Sequence, residues 1–181
     1  MLFRSERGVT AIAGNHDLIA IGALDVDRCH YRAAYALRRT RRDLAPETAL
    51  YLASLPRHAL IDGRILLIHG DLGDPQRYLV SDADILSCAR RVKERFPMVR
   101  LVLRGHDHEP RVHRVRGSSV VSDRASFVRC DDPDEIVFVN PGSVDAQRKP
   151  EAGRRAYFGL LDAERLSVEL LHISYDHELT E

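Results

Sequence analysis

Leu101-Val102-Leu103-Arg104-Gly105-His106-Asp107-His108 is the stretch that decides the fold: an aliphatic run stops at a glycine and gives way to two imidazoles around a carboxylate. An apolar run this short, bounded by a turn residue, reads as a buried strand. The pattern recurs on both sides of it. Val9 to Gly14 (VTAIAG) leads into Asn15-His16-Asp17, ILLI at 65–68 into His69-Gly70-Asp71, and IVFV at 136–139 into Asn140-Pro141-Gly142-Ser143. Strands that end in polar loops along one sheet edge bring distant residues into a single small volume, which is how a metal site is assembled from a scattered sequence.

The segments between these runs complete an α/β reading. Gly8 to Gly14 is expected to be a buried strand. Asp27 to Leu44 has good helix formers, with Tyr31, Ala34, Tyr35 and Leu37 expected to share one face. Pro46 to Leu55 reads as a second helix with its proline at an early position, where a missing N–H is harmless. Asp62-Gly63, between HALI and RILLI, is a two-residue hairpin signal that feeds the next strand into His69. Ser81, Asp82 and Asp84 mark the start of a further helix that runs to Pro97 on the apolar spacing Ile85, Leu86, Ala89, Val92, Phe96. After a strand over Val99–Leu103, the texture changes to short alternating segments: RVHRV, ASFVRC, EIVFVN, RAYFGLLD and LSVELLHISY. This half reads as an antiparallel sheet.

Composition narrows the function. At 181 residues, with no repeat or linker, residues 1–181 read as one domain able to bury a core without staples. With 27 basic and 27 acidic residues there is no net field to draw the chain to nucleic acid or membrane, and a small substrate is expected. Three cysteines, Cys29, Cys88 and Cys130, sit in no C-x-x-C pair, which points to reduced thiols and a cytoplasmic location. No stretch approaches the ~20 apolar residues of a membrane span. Neither a C-x5-R loop nor a G-x-S-x-G elbow is present, so cysteine and serine nucleophiles are set aside. The run Arg38, Arg39, Arg41, Arg42 reads as a solvated helix face, and Asp131 to Glu135 as a turn between strands.

Imidazole and carboxylate suit zinc, manganese and iron, and an asparagine amide oxygen adds a harder donor that favours manganese or iron. Asn15, His69, His106 and His108 are therefore the candidate ligands. Asp17 and Asp71 are expected to orient an imidazole, while His30, His58, His113, His172 and His177 are assigned ordinary surface or core roles. Arg104 and Arg148, adjacent to motif residues, are candidates to grip a substrate phosphate.

Gly14-Asn15-His16-Asp17, Ile68-His69-Gly70-Asp71, Gly105-His106-Asp107-His108 and Asn140-Pro141-Gly142-Ser143-Val144 resemble, in order, the later motifs of the calcineurin-like metallophosphoesterases. The closing RRAYFGLLD and LSVELLHISYD are similar to the end of the bacterial small-phosphodiesterase branch. The resemblance implies a double β-sandwich flanked by helices (αββα) and a two-metal phosphodiesterase or phosphatase. It implies that Asn15, His69 and His106 bind one metal and His108 the other, with Mn2+ preferred over Fe, Zn or Ni. It also implies that His16, paired with Asp17, serves the leaving-group oxygen of a small phosphorylated substrate.

The family's Asp-x-His and Gly-Asp-x-x-Asp motifs should precede Asn15, yet only fourteen residues do, none of them Asp or His. The fold is accordingly read as N-terminally truncated, missing its first two strands, with half of the metal ligands absent. Three readings are open. The chain is part of a product whose upstream residues supply those motifs, which is the favoured reading; or a natural short form with one weakly held metal; or a non-catalytic module that binds a phosphorylated ligand. An uncovered sheet edge would favour a homo-oligomer.

Overall fold

The computed structural model describes residues 8–144 and 155–175. Among the described residues three helices come first: α1 (Asn15–Ala20), α2 (Tyr31–Asp43) and α3 (Pro46–Ser54), the last with its proline at the first turn. The strands β1 (His58–Ile61) and β2 (Ile65–Ile68) form an antiparallel hairpin. Asp62 and Gly63 both take left-handed dihedrals, φ 50° and 68°, as the tight two-residue turn requires. Helix α4 (Asp82–Arg95) starts where Ser81 Oγ accepts the Asp84 N–H at 3.2 Å and Asp84 Oδ2 accepts the Ser81 N–H at 3.2 Å. The remaining strands are β3 (Leu101–Leu103), β4 (Arg111–Arg116), β5 (Ser119–Asp123), β6 (Phe127–Arg129), β7 (Glu135–Asn140), β8 (Arg155–Asp162) and β9 (Ser167–Ser174).

These strands make two sheets, one of six in the order β1-β2-β3-β7-β4-β5 and one of three in the order β6-β9-β8. In the larger sheet β2, β3 and β7 are parallel, with Leu67, Leu103 and Val139 in one row. Side chains alternate across it, as a pleat demands. One face carries Leu66, Ile68, Val102, Ile136 and Phe138 into a core against α4 through Ile85, Cys88, Ala89 and Val92. The opposite face packs Ile65, Leu101, Val112, Val137 and Val139 on Val128, Leu166 and Val168 of the smaller-sheet region. Helix, sheet and sheet are thus stacked as in the expected sandwich, and both faces of the parallel strands are covered.

Three expectations change. Residues 9–14 do not form a strand; the Ala13 N–H donates to Pro56 O at 2.8 Å, and Gly14 O accepts the Leu18 N–H at 3.1 Å where α1 begins. The segment's apolar residues have no neighbouring strand among the described residues to complete a ladder. The expected antiparallel half is divided: β4, β5 and β7 extend the larger sheet, while β6, β8 and β9 build the smaller. On α2 the buried stripe is Ala34 and Leu37, and Tyr31 and Tyr35 are exposed, because at 100° per residue they fall on a different side of the cylinder. No helix among the described residues is long and apolar enough to cross a membrane.

Candidate functional site

Because β2, β3 and β7 run parallel, their carboxyl ends lie side by side, and the residues at those ends and in the loops beyond them are delivered to one edge. His69 comes directly after β2, Gly105 to His108 come after β3, and Asn140 ends β7. The Gly105 N–H donates to His69 O at 2.9 Å and the Arg104 N–H to Val139 O at 2.9 Å, extending the ladder into the loops. Helix α1 supplies Asn15 and His16 from the other side.

A cleft of about 470 Å³ opens there, lined by Gly14, Asn15, His16, Asp17, His69, His106 and His108, with Arg28, His30 and Tyr78 among its further walls. Asn15 Oδ1 lies 2.9 Å from His69 Nε2, and the His69 and His106 ring centroids are 5.0 Å apart. His106 is held by a stacked Tyr78 ring, centroids 3.9 Å apart and planes 22° from parallel, and by Nε2 donating to Gln76 O at 3.2 Å. A carbonyl accepts only from a protonated nitrogen, so the lone pair of this imidazole is on Nδ1.

Close approach at the cleft floor depends on two glycines. A Cβ on Gly14 would stand 3.0 Å from His69 Cε1, so any side chain there would push the imidazole aside. At Gly70 a Cβ would meet Arg77 O at 2.6 Å and Pro75 O at 2.8 Å, both rigid backbone. His106 and His108 themselves have φ of 75° and 60°, a left-handed conformation that costs a residue with a Cβ roughly 1–2 kcal/mol. Backbone strain of this kind concentrates at functional sites when the surrounding bonds over-determine it.

Electrostatics favour a neutral His69. Burial, then the neighbouring His106, His108 and His16, push His69 down to about 4, so at neutral pH its ring offers one nitrogen lone pair rather than a positive charge. Such a ring is suited to a cation. Two donors at ~2.1 Å and at right angles around an octahedral ion lie about 3 Å apart, close to the observed separation of Asn15 Oδ1 and His69 Nε2. The spacing of Asn15 Oδ1 and His69 Nε2 suits one divalent cation, with His106 and His108 lining the same cleft. A second fits less well, because Asp17 is the one carboxylate among the described residues lining the cleft, and its Oδ2 accepts the Gly14 N–H at 2.8 Å. Among the described residues no group of three or more His, Cys, Asp or Glu side chains stands in a metal-holding arrangement.

The fold gathers most of the expected residues and sends a few elsewhere. Asn15, His16, Asp17, His69, His106 and His108 all line the cleft. Asp71 does not orient an imidazole: both its oxygens accept from Arg91 Nη2, at 2.6 and 2.7 Å. Asp17 caps its own helix. Arg104 is not a substrate contact; its side chain is 1% exposed and Nη1 donates to Asp107 Oδ2 at 3.0 Å. The residue alternates inward at the end of β3, so the guanidinium lies behind the loop instead of in the cleft. Arg148 lies outside the described residues. His30, assigned a surface role, lines the cleft, and Arg28 and Tyr78 were not singled out at all. Nothing in their spacing marked them, since both come from loops whose path only the folded chain reveals.

The calcineurin-like phosphoesterase superfamily domain profile matches residues 2–165. The chain belongs to this superfamily. Its members use divalent metals, in keeping with the donors gathered in the cleft. Among solved structures, it is similar to a metallophosphoesterase from Sphaerobacter thermophilus, with 26% identity and a TM-score of 0.65, covering 91% of this chain and 66% of that one. It shares its fold with a hypothetical protein from Pyrococcus horikoshii OT3, with 19% identity and a TM-score of 0.64, covering 97% of this chain and 67% of the other. The chain thus spans about two thirds of the length of these two relatives. A search of curated proteins gave no significant match.

Proposed function

We propose that this phosphoesterase-superfamily chain hydrolyses small phosphate esters, diesters or monoesters, with a divalent cation held by Asn15, His69, His106 and His108. The observation that carries the reading is the 2.9 Å approach of Asn15 Oδ1 to His69 Nε2 in a cleft that two further imidazoles line. Mixed amide and imidazole donors support Mn2+ ahead of Fe, Zn or Ni. The cation, when bound, supplies Lewis-acid charge to the phosphoryl group and to the attacking water.

The chain's own residues do the rest. Gly14 leaves room for the His69 ring, and burial keeps that ring neutral. In this reading His16, exposed on the cleft wall, gives a proton to the departing alkoxide. Arg28 Nη1 is paired at 2.6 Å with Asp74 at the mouth, where an entering phosphate would compete for it.

Because Asp17 is the only carboxylate lining the cleft among the described residues, the reading assigns this chain alone a weak activity. Loss of one charge-stabilising group commonly costs ~10²–10³ in rate. A second reading, a module that binds a phosphorylated ligand without cleaving it, draws on the same observation. The three cysteines, all unpaired, support a cytoplasmic location. Exposed Phe127, Leu160 and Ile173 on the smaller sheet, with β8 at its edge, support self-association.

Cleavage of bis(4-nitrophenyl) phosphate with and without Mn2+ tests the reading. Slow turnover, lost on chelation and in His69→Ala, and orders of magnitude below that of the Sphaerobacter relative, is expected. Turnover indifferent to chelation would refute the hydrolase reading, and rates matching the relative would refute the weak one.

A further inference from the structure

Arg104 is the only arginine or lysine fully buried among the described residues, and its surroundings satisfy it poorly. Nη1 reaches Asp107, while Nε and Nη2 are buried without a hydrogen-bond partner. Beside it His113, on β4, is also buried with Nδ1 unpartnered. A buried guanidinium with orphaned donors is poor ground for stability, even with a partly exposed carboxylate beside it, since apolar residues of similar volume usually do as well or better. Packing does not explain the arginine.

Its geometry does. Asp107 stands between the two histidines of left-handed φ, and its side chain faces away from theirs. His106 and His108 line the cleft, whereas Asp107 lines a neighbouring cavity with Glu109 and Arg111. The Asp107 carboxylate is gripped from two sides, by Arg104 through Oδ2 and by Asn140 Nδ2 through Oδ1. Asn140 Nδ2 also donates to Gly105 O at 3.2 Å, and Asn140 Oδ1 accepts the Gly142 N–H at 2.9 Å. Within the turn the Asp107 N–H donates to Gly105 O at 3.0 Å. The tip of the turn is thereby fastened to the ends of β3 and β7, while the flanking His106 and His108 line the cleft.

We propose that Arg104 is a positioning residue for the cation site: acting through Asp107, it fixes the strained turn that presents His106 and His108 together. The inference rests on the reading of those imidazoles as cation ligands. Arg104 touches neither substrate nor cation. Its effect is on how the ligands are held, and partners of this kind are commonly worth 10–100-fold in metal affinity.

The test pairs the double variant Arg104→Met/Asp107→Leu, which removes the ion pair but keeps the branching of the carboxylate, with the single variant Asp107→Asn, which keeps the shape, removes the charge and turns one of the two accepting oxygens into a donor. Each is measured in the full chain for thermal midpoint, for Mn2+ affinity by calorimetry, and for the imidazole and backbone amide NMR signals of residues 105–108 without metal. The double variant is expected to melt near the parent, to bind Mn2+ 10–100-fold more weakly, and to show shifted or broadened His106 and His108 signals with His172 unmoved. Asp107→Asn should show the same spectral change in smaller degree, and it decides the matter if the double variant does not fold. Mn2+ affinity within twofold of the parent with superimposable imidazole spectra would overturn the inference. If the parent chain itself binds no Mn2+, the cation reading fails, and the metal-free spectra alone then support or overturn the positioning role.

Discussion

The two walls of the cleft are built differently. The histidine wall grows out of three parallel strands buried on both faces, and its loops are tied to one another by backbone and Asn140 bonds. The asparagine wall is a six-residue helix behind a segment joined to the rest by the Ala13 N–H bond to Pro56 O, and Arg41 braces the far end of that helix. Local stability tracks the density of buried contacts and ladder bonds. The histidine wall should therefore behave as scaffold and the asparagine wall as the part that adjusts.

The largest effect is expected on the scaffold side. Gly70→Ala forces a Cβ against two backbone carbonyls at 2.6 and 2.8 Å, with no flexible atom to yield. Overpacking of that kind costs about 1–3 kcal/mol or more, so urea denaturation should show either a midpoint lowered by several tenths molar or no folded state. An unchanged midpoint would mean that the loop after His69 is not held as described.

Next comes a pH effect beneath the same wall. Burial, then Arg104 and Arg111, lower His113 to about 4. The unfolded chain, with its histidine near 6.5, then binds more protons than the folded one between those values, and stability must rise with pH across that window. The full difference is about 3 kcal/mol, present above pH 6.5 and lost as pH falls toward 4. His113→Leu should flatten that part of the stability profile; an identical slope in both proteins would place the titration elsewhere.

On the adjustable wall the effects are smaller and local. Arg41 Nη2 and Nε donate to Ile19 O at 2.6 and 3.2 Å, closing the end of α1. Arg41→Ala should cost about 1.5 kcal/mol if both bonds matter to global folding, since the exposed guanidinium is readily hydrated, and less if α1 frays independently. Hydrogen exchange separates the two: faster exchange confined to 15–24 is expected, and a rise spread over β2 and β3 would erase the contrast between the walls. Smallest is Ser81→Ala, a lost cap worth about 1 kcal/mol remote from both walls.

The sequence carried the strand ends well and their surroundings poorly. Glycine and imidazole directly after an aliphatic run are local signals, so His69, His106 and His108 are legible in the sequence itself. The Asp62-Gly63 turn and the Ser81 cap were legible for the same reason, each being decided within four residues. Features set by distant partners were not. Gly8–Gly14 has the composition of a strand but needs a neighbour to be one, and β5, with Ser119, Ser122 and Asp123 among its five residues, is a strand only because β4 lies beside it. Arg104 beside a motif reads like a phosphate ligand in one dimension; pleat alternation sends it inward instead. Tyr78 and Arg28 reach the cleft from loops, where spacing carries no information.

The central claim is that the Asn15 amide, the His69 imidazole and at least one of the His106 and His108 imidazoles share one cation. Anomalous diffraction at the manganese edge from a crystal of this chain equilibrated with Mn2+ tests it most directly. A single peak about 2 Å from Asn15 Oδ1 and from nitrogens of His69 and at least one of His106 and His108, absent in crystals of His69→Ala, is the expected result. No peak in the cleft at saturating Mn2+, or one that persists unmoved without the His69 imidazole, would contradict it.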